Sequence, residues 1–270
     1  MTCRGIEDSL ALYAAGAAIP PEVSAHIAGC ESCRRLLAAM RQADAAEPPS
    51  PDRLRQIQAQ LRADLKPVKP LPPARVFVLA LLLIAAAAVA IGAAHLGIAG
   101  WEALGTLRRS VVFAVLAAGL GLLSVLLSRV MVPGSRVLLD SRVAVAGVFA
   151  ILAPIFAILF DFHAEPTFVA TGLVCLTIGI ECALPVAAFS WLILRQGMVL
   201  QPTAAGALTG LLAGLSGVTV LEIFCPNPDR YHILVWHIGA AMVSTIAGAA
   251  VGWLADSLLT HKSIPSDGDV

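Results

Sequence analysis

From about residue 76 the chain reads as apolar runs broken by short polar or proline-bearing stretches, whereas the first 75 residues mix apolar and charged positions at helical spacing. Six apolar segments fall near 76–98, 110–128, 143–160, 168–194, 203–223 and 233–257. Each is long enough, or nearly so, for a hydrocarbon core that takes about 20 helical residues to cross. The fourth is the longest and contains Pro185, so tilt or a kink is expected there. The fold class this predicts is all-α, a small helical head followed by a six-transmembrane-helix bundle.

The head divides further. Ile6, Leu10, Leu12 and Tyr13 give a first apolar helix, which Gly16-Ala-Ala-Ile-Pro20-Pro21 breaks. Pro21 opens a second helix, where its missing N–H costs nothing. That helix carries His26 and is expected to end on Gly29 as its C-cap residue. A third begins near Glu31 or Ser32 with Leu36, Leu37 and Met40 on one side. Glu47-Pro-Pro-Ser-Pro51 is a linker, and Asp52 is expected to cap an amphipathic helix over 52–65 with Leu54, Ile57, Leu61 and Leu65 on one face. Lys66-Pro-Val-Lys-Pro-Leu-Pro-Pro73 follows as a stiff spacer. The expected domains are a head over 1–47, a linker with its helix over 48–75, the spans over 76–258 and a tail over 259–270.

Composition agrees with the pattern. Of 270 residues, 58% are apolar and only 13% charged, against about 25% charged in soluble domains. Mean hydropathy is +0.84. The head carries only a slight positive excess, far from the basic stripe of a nucleic-acid binder, so no direct contact with nucleic acid is expected. The N-terminus has no basic segment followed by an apolar run, so no signal peptide is expected and the head is expected to stay in the cytoplasm. Positive residues flanking the spans agree. Lys66, Lys69, Arg75, Arg129, Arg136, Arg142, Arg195 and Lys262 lie on the inner side, with only Arg108, Arg109 and Arg230 outside, which predicts both termini in the cytoplasm. Arg108 and Arg109 fit that scheme poorly and suggest an interfacial segment.

The chemistry of the head centres on His26-Ile-Ala-Gly-Cys30-Glu-Ser-Cys33, with Cys3 ahead of it. His26 and Cys30 lie one helical turn apart, and Cys30-x2-Cys33 can curl round one ion at the start of the next helix. Cys3 completes a tetrahedral set suited to one zinc ion, structural or redox-labile. A head this small needs such a staple. Cys3, the Ala-Ile-Pro-Pro-Glu22 break, His26, Cys30 and Cys33 resemble the zinc-binding anti-sigma (ZAS) domain. The resemblance implies capture of an extracytoplasmic-function sigma factor, with the 52–65 helix joining the grip through Leu54, Ile57, Leu61 and Leu65.

The membrane half carries a second resemblance. Leu61-Arg-Ala-Asp-Leu-Lys-Pro-Val-Lys-Pro-Leu-Pro-Pro73, Cys175-Leu-Thr-Ile, Pro185, Leu194-Arg195-Gln-Gly197, Pro202-Thr-Ala-Ala-Gly206 and Phe224-Cys225-Pro226 with His232, Trp236 and His237 are similar to the NrsF-type family. Its members are six-span negative regulators of extracytoplasmic sigma factors. The family usually has a short N-terminus without a zinc module and a His before Cys-Pro, where this chain has Phe224. The resemblance implies that Cys175 and Cys225 take part in sensing.

Read from the residues alone, two thiols near one membrane face can form a disulfide or grip a soft metal. Cys175 can equally be a small packing residue, and Cys182 lies one heptad further on. Glu181 is the costliest residue in the spans, at about 2.5–3.5 kcal/mol for an acid near a span centre. Glu222, His232 and His237 are candidates to join it in a polar cluster, either for packing or for signalling. Gly206, Gly210 and Gly214, with Gly248 and Gly252, are spaced for close helix packing, within one bundle or in a homodimer. No nucleophile–base pair or phosphate loop stands out, and no enzyme is expected. The reading is a membrane-anchored anti-sigma factor of the bacterial inner membrane. Its rival is a metal-handling transporter with a zinc-binding regulatory head.

Overall fold

The computed structural model describes residues 3, 10, 13–14, 16–44, 50–64, 71–131, 139–162, 167–197 and 199–261. The chain forms two compact units, Met1–Lys69 and Pro70–Val270. Among the described residues it is all-α.

In the first unit, α1 (Pro21–Gly29) and α2 (Glu31–Asp44) form a hairpin. Pro20 is the N-cap residue of α1, and Pro21 occupies its first turn. Gly29 is not the C-cap expected. It remains helical, and the chain breaks at Cys30, whose extended backbone (φ −112°) redirects it while its N–H still bonds to His26 O. Leu10, Val23, Ile27, Cys33 and Leu37 make the small core, flanked by Tyr13, Ile19 and Met40. The first apolar helix predicted from Ile6 to Tyr13 falls largely outside the described residues.

Helix α3 (Pro51–Asp64) buries none of its residues. Its start corrects one expectation. Ser50, not Asp52, sits at the cap, its Oγ accepting from Arg53 N at 3.3 Å, while Asp52 pairs with Arg55. Pro51 is thereby the first helical residue, which suits its fixed φ. Leu54, Ile57 and Leu61 are 45%, 41% and 61% exposed, an apolar face without a cover. Leu65 lies outside the described residues.

Among the described residues, the second unit holds six helices long and apolar enough to cross a membrane. They are α4 (Ala74–Leu96), α6 (Thr106–Val130), α7 (Ser141–Leu159), α8 (Phe168–Leu194), α9 (Pro202–Phe224) and a last one beginning at Arg230. A short α5 (Ala99–Ala103) links α4 to α6. The last helix opens with one turn at Arg230–His232, widens to a π-helical turn at Ile233–His237, and continues as α10 (Ile238–His261). Helix α8 runs through Pro185 as one element.

Helix α9 is the axle of the bundle. In its most apolar stretch 83% is buried, against 22–33% in the other five spans. Its hydroxyls are satisfied locally, as a helix away from water requires. Thr209, Ser216 and Thr219 donate to the carbonyls of Ala205, Leu212 and Leu215 at 2.7–2.9 Å. The glycine stripes are consumed between α9 and α10. A Cβ on Gly206 would lie 2.2 Å from Gly248 O, one on Gly210 2.1 Å from Ser244 O, and one on Gly252 2.2 Å from Pro202 O. The close approach those glycines permit is therefore within the chain.

At the end of the bundle where α8 begins, the connecting segments are tied together. Arg108 pairs with Asp161. Arg230 donates its backbone N–H to Asp161 O at 2.9 Å and its Nε–H to Phe160 O at 2.8 Å. Arg109 lies over the Trp101 ring at 4.6 Å. The two arginines that fit the charge asymmetry poorly are thus held by an acid and an indole.

Candidate metal centres

In the head, the α1–α2 hairpin brings the four sequence-predicted donors together. Cys3 Sγ lies 3.7 Å from His26 Nε2 and 3.7 Å from Cys30 Sγ, and Cys33 Sγ lies 3.6 Å from His26 Nε2. All four donor atoms fall within 4.8 Å of one another. For bonds of about 2.3 Å to sulfur and 2.0–2.1 Å to nitrogen, a tetrahedron has edges of about 3.5–3.8 Å. The separations match, so this cluster can bind a metal ion. The Cys30 thiol is lowered from its ordinary value, first by the Cys33 backbone N–H and then by Cys3. Cys33 is pushed up to about 11, first by burial and then by the neighbouring sulfurs.

The second unit contains a second donor set. Cys175 lies two turns into α8, Cys225 follows α9 directly, and His232 and His237 flank the π-helical turn. Cys175 Sγ and Cys225 Sγ are 3.6 Å apart, and Cys225 Sγ is 3.7 Å from His232 Nε2. The His232 and His237 rings are 5.4 Å apart. One donor atom from each of the four residues falls within 4.8 Å of the others.

Local structure explains how distant residues meet. Five residues at 100° each would place His232 and His237 about 140° apart on an α-helix. The π-turn, with Ile238 N–H bonded to Ile233 O, absorbs one residue and leaves the pair related as an i, i+4 pair is. The Asp229 carboxylate holds the start of that turn, accepting from His232 N at 2.8 Å. Above the site, a Cβ on Gly100 would lie 2.5 Å from Cys225 O and 2.8 Å from Glu222 O, so α5 seats directly on these carbonyls. Phe168 packs edge-on against the His232 ring, and Trp236 packs against Phe168. The Cys225 thiol is lowered from its ordinary value, first by Cys175 and then by His232, against the upward push of burial.

A polar cluster does form, but with a different acid from Glu181. Glu222, at the end of α9, carries the hydrogen bond to His237, Oε1 to Nδ1 at 2.7 Å, with the two side chains 3% and 1% exposed. The opposite nitrogen, His237 Nε2, is buried with no hydrogen-bond partner among the described residues. Glu181 instead lines a groove of about 440 Å³ between α4 and α8, with Cys182, His95 and apolar walls.

Residues 61–255 match the family model described as negative regulator of sigma F, NrsF. The chain belongs to this family. No curated protein and no solved structure matches it. The matched stretch holds Cys175, Cys225, His232, His237 and Glu222, and it begins within α3, after the Cys3/His26/Cys30/Cys33 cluster. NrsF is a family of regulators, so negative regulation of a sigma factor is the function that membership carries, and a sigma factor the partner.

The donor chemistry of the NrsF-matched unit fits a thiophilic cation. Two sulfurs and two imidazoles suit Zn²⁺, Cd²⁺ or Cu⁺ and exclude the oxygen-seeking Mg²⁺ and Ca²⁺. An unpartnered buried nitrogen facing such a set is itself an argument for a ligand, since leaving it unpaired costs about 1–3 kcal/mol.

Proposed function

We propose that this NrsF-family protein is an anti-sigma factor of the bacterial inner membrane that holds an extracytoplasmic-function sigma factor and releases it when the Cys175/Cys225/His232/His237 cluster meets its stimulus. The observation that carries the reading is that cluster, four donors gathered from α8, the Cys225 loop and the π-turn inside a domain of a sigma-regulator family. The termini lie in the cytoplasm, which puts the cluster at the periplasmic end of the bundle, where a cation or oxidant arrives first.

In the head, Cys3, His26, Cys30 and Cys33 hold one zinc ion that braces the α1–α2 hairpin. Leu54, Ile57 and Leu61 of α3 supply apolar contact to the sigma factor; Leu65 continues the same face by sequence. Binding at Cys175 and Cys225 fixes the start of α8 to the end of α9, and the change passes along the packed helices to weaken the grip. The transporter reading rests on Glu181 joining the donors, and Glu181 lies in a groove of its own with Cys182 and His95.

The full chain in detergent, mixed with the extracytoplasmic-function sigma factors of its own cell one at a time, should retain one of them and lose it on adding Cd²⁺ or diamide. Cys225→Ser should retain the factor under both conditions. Failure of the unstimulated chain to bind any of these factors at micromolar concentration overturns the reading.

A further inference from the structure

Glu222 is a buried carboxylate that the thiol-and-imidazole site does not use as a donor, since its oxygens stand outside the group of four. It ends α9, the most enclosed helix of the bundle, and its backbone carbonyl is pinned beneath Gly100 of α5. Its Oε1 accepts from His237 Nδ1 at 2.7 Å. A neutral imidazole with its proton on Nδ1 carries a lone pair on Nε2. That is the nitrogen left buried and unpartnered.

We propose that Glu222 is the positioning residue of the Cys175/Cys225/His232/His237 site, locking His237 in the tautomer and ring orientation that present Nε2 to a thiophilic cation. The inference rests on the reading of those four residues as a cation site. Metal-bound histidines commonly donate their other N–H to a carboxylate, which fixes the ring and raises its basicity. Here the carboxylate comes from α9 and the imidazole from the π-turn leading into α10. The hydrogen bond therefore sets the angle of a donor from a helix other than the donor's own. The two glycine-locked helices supply the rigid frame this needs. A buried acid–imidazole pair serving packing alone would hold the same helices together without affecting how a cation is ligated, and this difference is measurable.

The test uses the full chain in detergent with Cys30→Ser and Cys33→Ser, which silence the head cluster. Cd²⁺ is titrated through its thiolate charge-transfer absorption against a competing chelator, and Co²⁺ through its visible bands. This parent is expected to bind one Cd²⁺. Adding Glu222→Ala should weaken Cd²⁺ by about 10–100-fold while the thiolate band persists, because both sulfurs remain. The Co²⁺ bands should lose their tetrahedral form as His237 swings away. Glu222→Gln, whose amide oxygen still accepts from Nδ1–H, should restore the Co²⁺ band shape and part of the affinity, and it decides the matter where the Ala variant does not fold. Folded Glu222 variants that bind Cd²⁺ within about threefold of the parent, with unchanged Co²⁺ bands, overturn the positioning role and leave the site standing. A parent that binds no Cd²⁺ overturns the cation site, and Glu222's role falls with it.

Discussion

The α9–α10 contact offers the sharpest test of the packing, through Gly210→Ala. A Cβ at this position would lie 2.1 Å from Ser244 O, 2.9 Å from Ser244 C and 3.0 Å from Thr245 Cα. All three are atoms of the facing helix's backbone, so no side-chain rotation relieves the clash. Restoring an ordinary contact of about 3.5 Å moves the helices apart by more than 1 Å. The same movement opens the contacts at Gly206–Gly248 and Gly214–Ala241, which share the seam. Overpacking a rigid core costs about 1–3 kcal/mol, and a backbone clash belongs at the upper end. For a domain of this size each kcal/mol moves Tm by about 2–4 °C, so a fall of roughly 6–12 °C is expected in detergent. The control is Gly147→Ala, in α7, where an added Cβ meets nothing within 4 Å. Alanine is the better helix former there by about 0.5–1 kcal/mol, so Tm should hold or rise. Equal melting of Gly210→Ala and Gly147→Ala would refute the interlocked seam.

Zinc affinity of the head should depend steeply on pH. Cys33 is raised to about 11, so it is protonated at neutral pH and must lose its proton when it ligates. That one proton makes binding about tenfold tighter for each pH unit gained; Cys30, lowered from its ordinary value, adds less. Chelator competition between pH 6 and 8.5 checks this, and a flat affinity would contradict it. On the face of α3, Leu61→Asp should abolish sigma-factor capture without lowering Tm, because Leu61 is 61% exposed and α3 buries none of its residues. Co-purification and melting of the same preparation separate the two effects.

The head cluster was legible because its chemistry is local. His26, Cys30 and Cys33 span one helix end and the next helix start, so spacing alone brings them within reach of one another, and Cys3 joins the cluster. The second cluster was legible only as a choice of residue types. Cys175 and Cys225 stand fifty positions apart, and no periodicity links α8 to the loop after α9. His232 and His237 have a spacing that a regular helix would separate, and a single-residue widening of a helix leaves no mark on the apolar pattern. Glu181 drew attention because an acid in an apolar run is costly wherever it points. Its direction, into a groove with Cys182 and away from the donors, depends on how α8 is rotated against its neighbours. Glu222 looked less costly because it ends its span, yet it is the acid buried against an imidazole. The cap of α3 was misread for a plainer reason. Asp52 and Ser50 are both good caps, and Pro51 between them prefers the first helical position, which leaves the cap to Ser50.

The two donor sets have similar chemistry, and what depends on each of them assigns their roles. Among the described residues the head's core is five buried side chains, one of which, Cys33, is itself a donor. So small a core holds poorly without its ion, and an ion that must stay for the fold to exist is a poor signal. The membrane unit has a continuous core running from Phe77 on α4 to Ala241 on α10, and its central seam is closed by glycines. Of the four donors, Cys175 packs in a separate small cluster with Leu221 and Ala240, and Cys225 lies against it. On the proposed reading a cation arrives at or leaves Cys175, Cys225, His232 and His237 while the larger core stays packed, as a sensor requires. On that proposed reading a metal ion in the head makes the grip, and the paired thiols of the membrane unit decide when it opens.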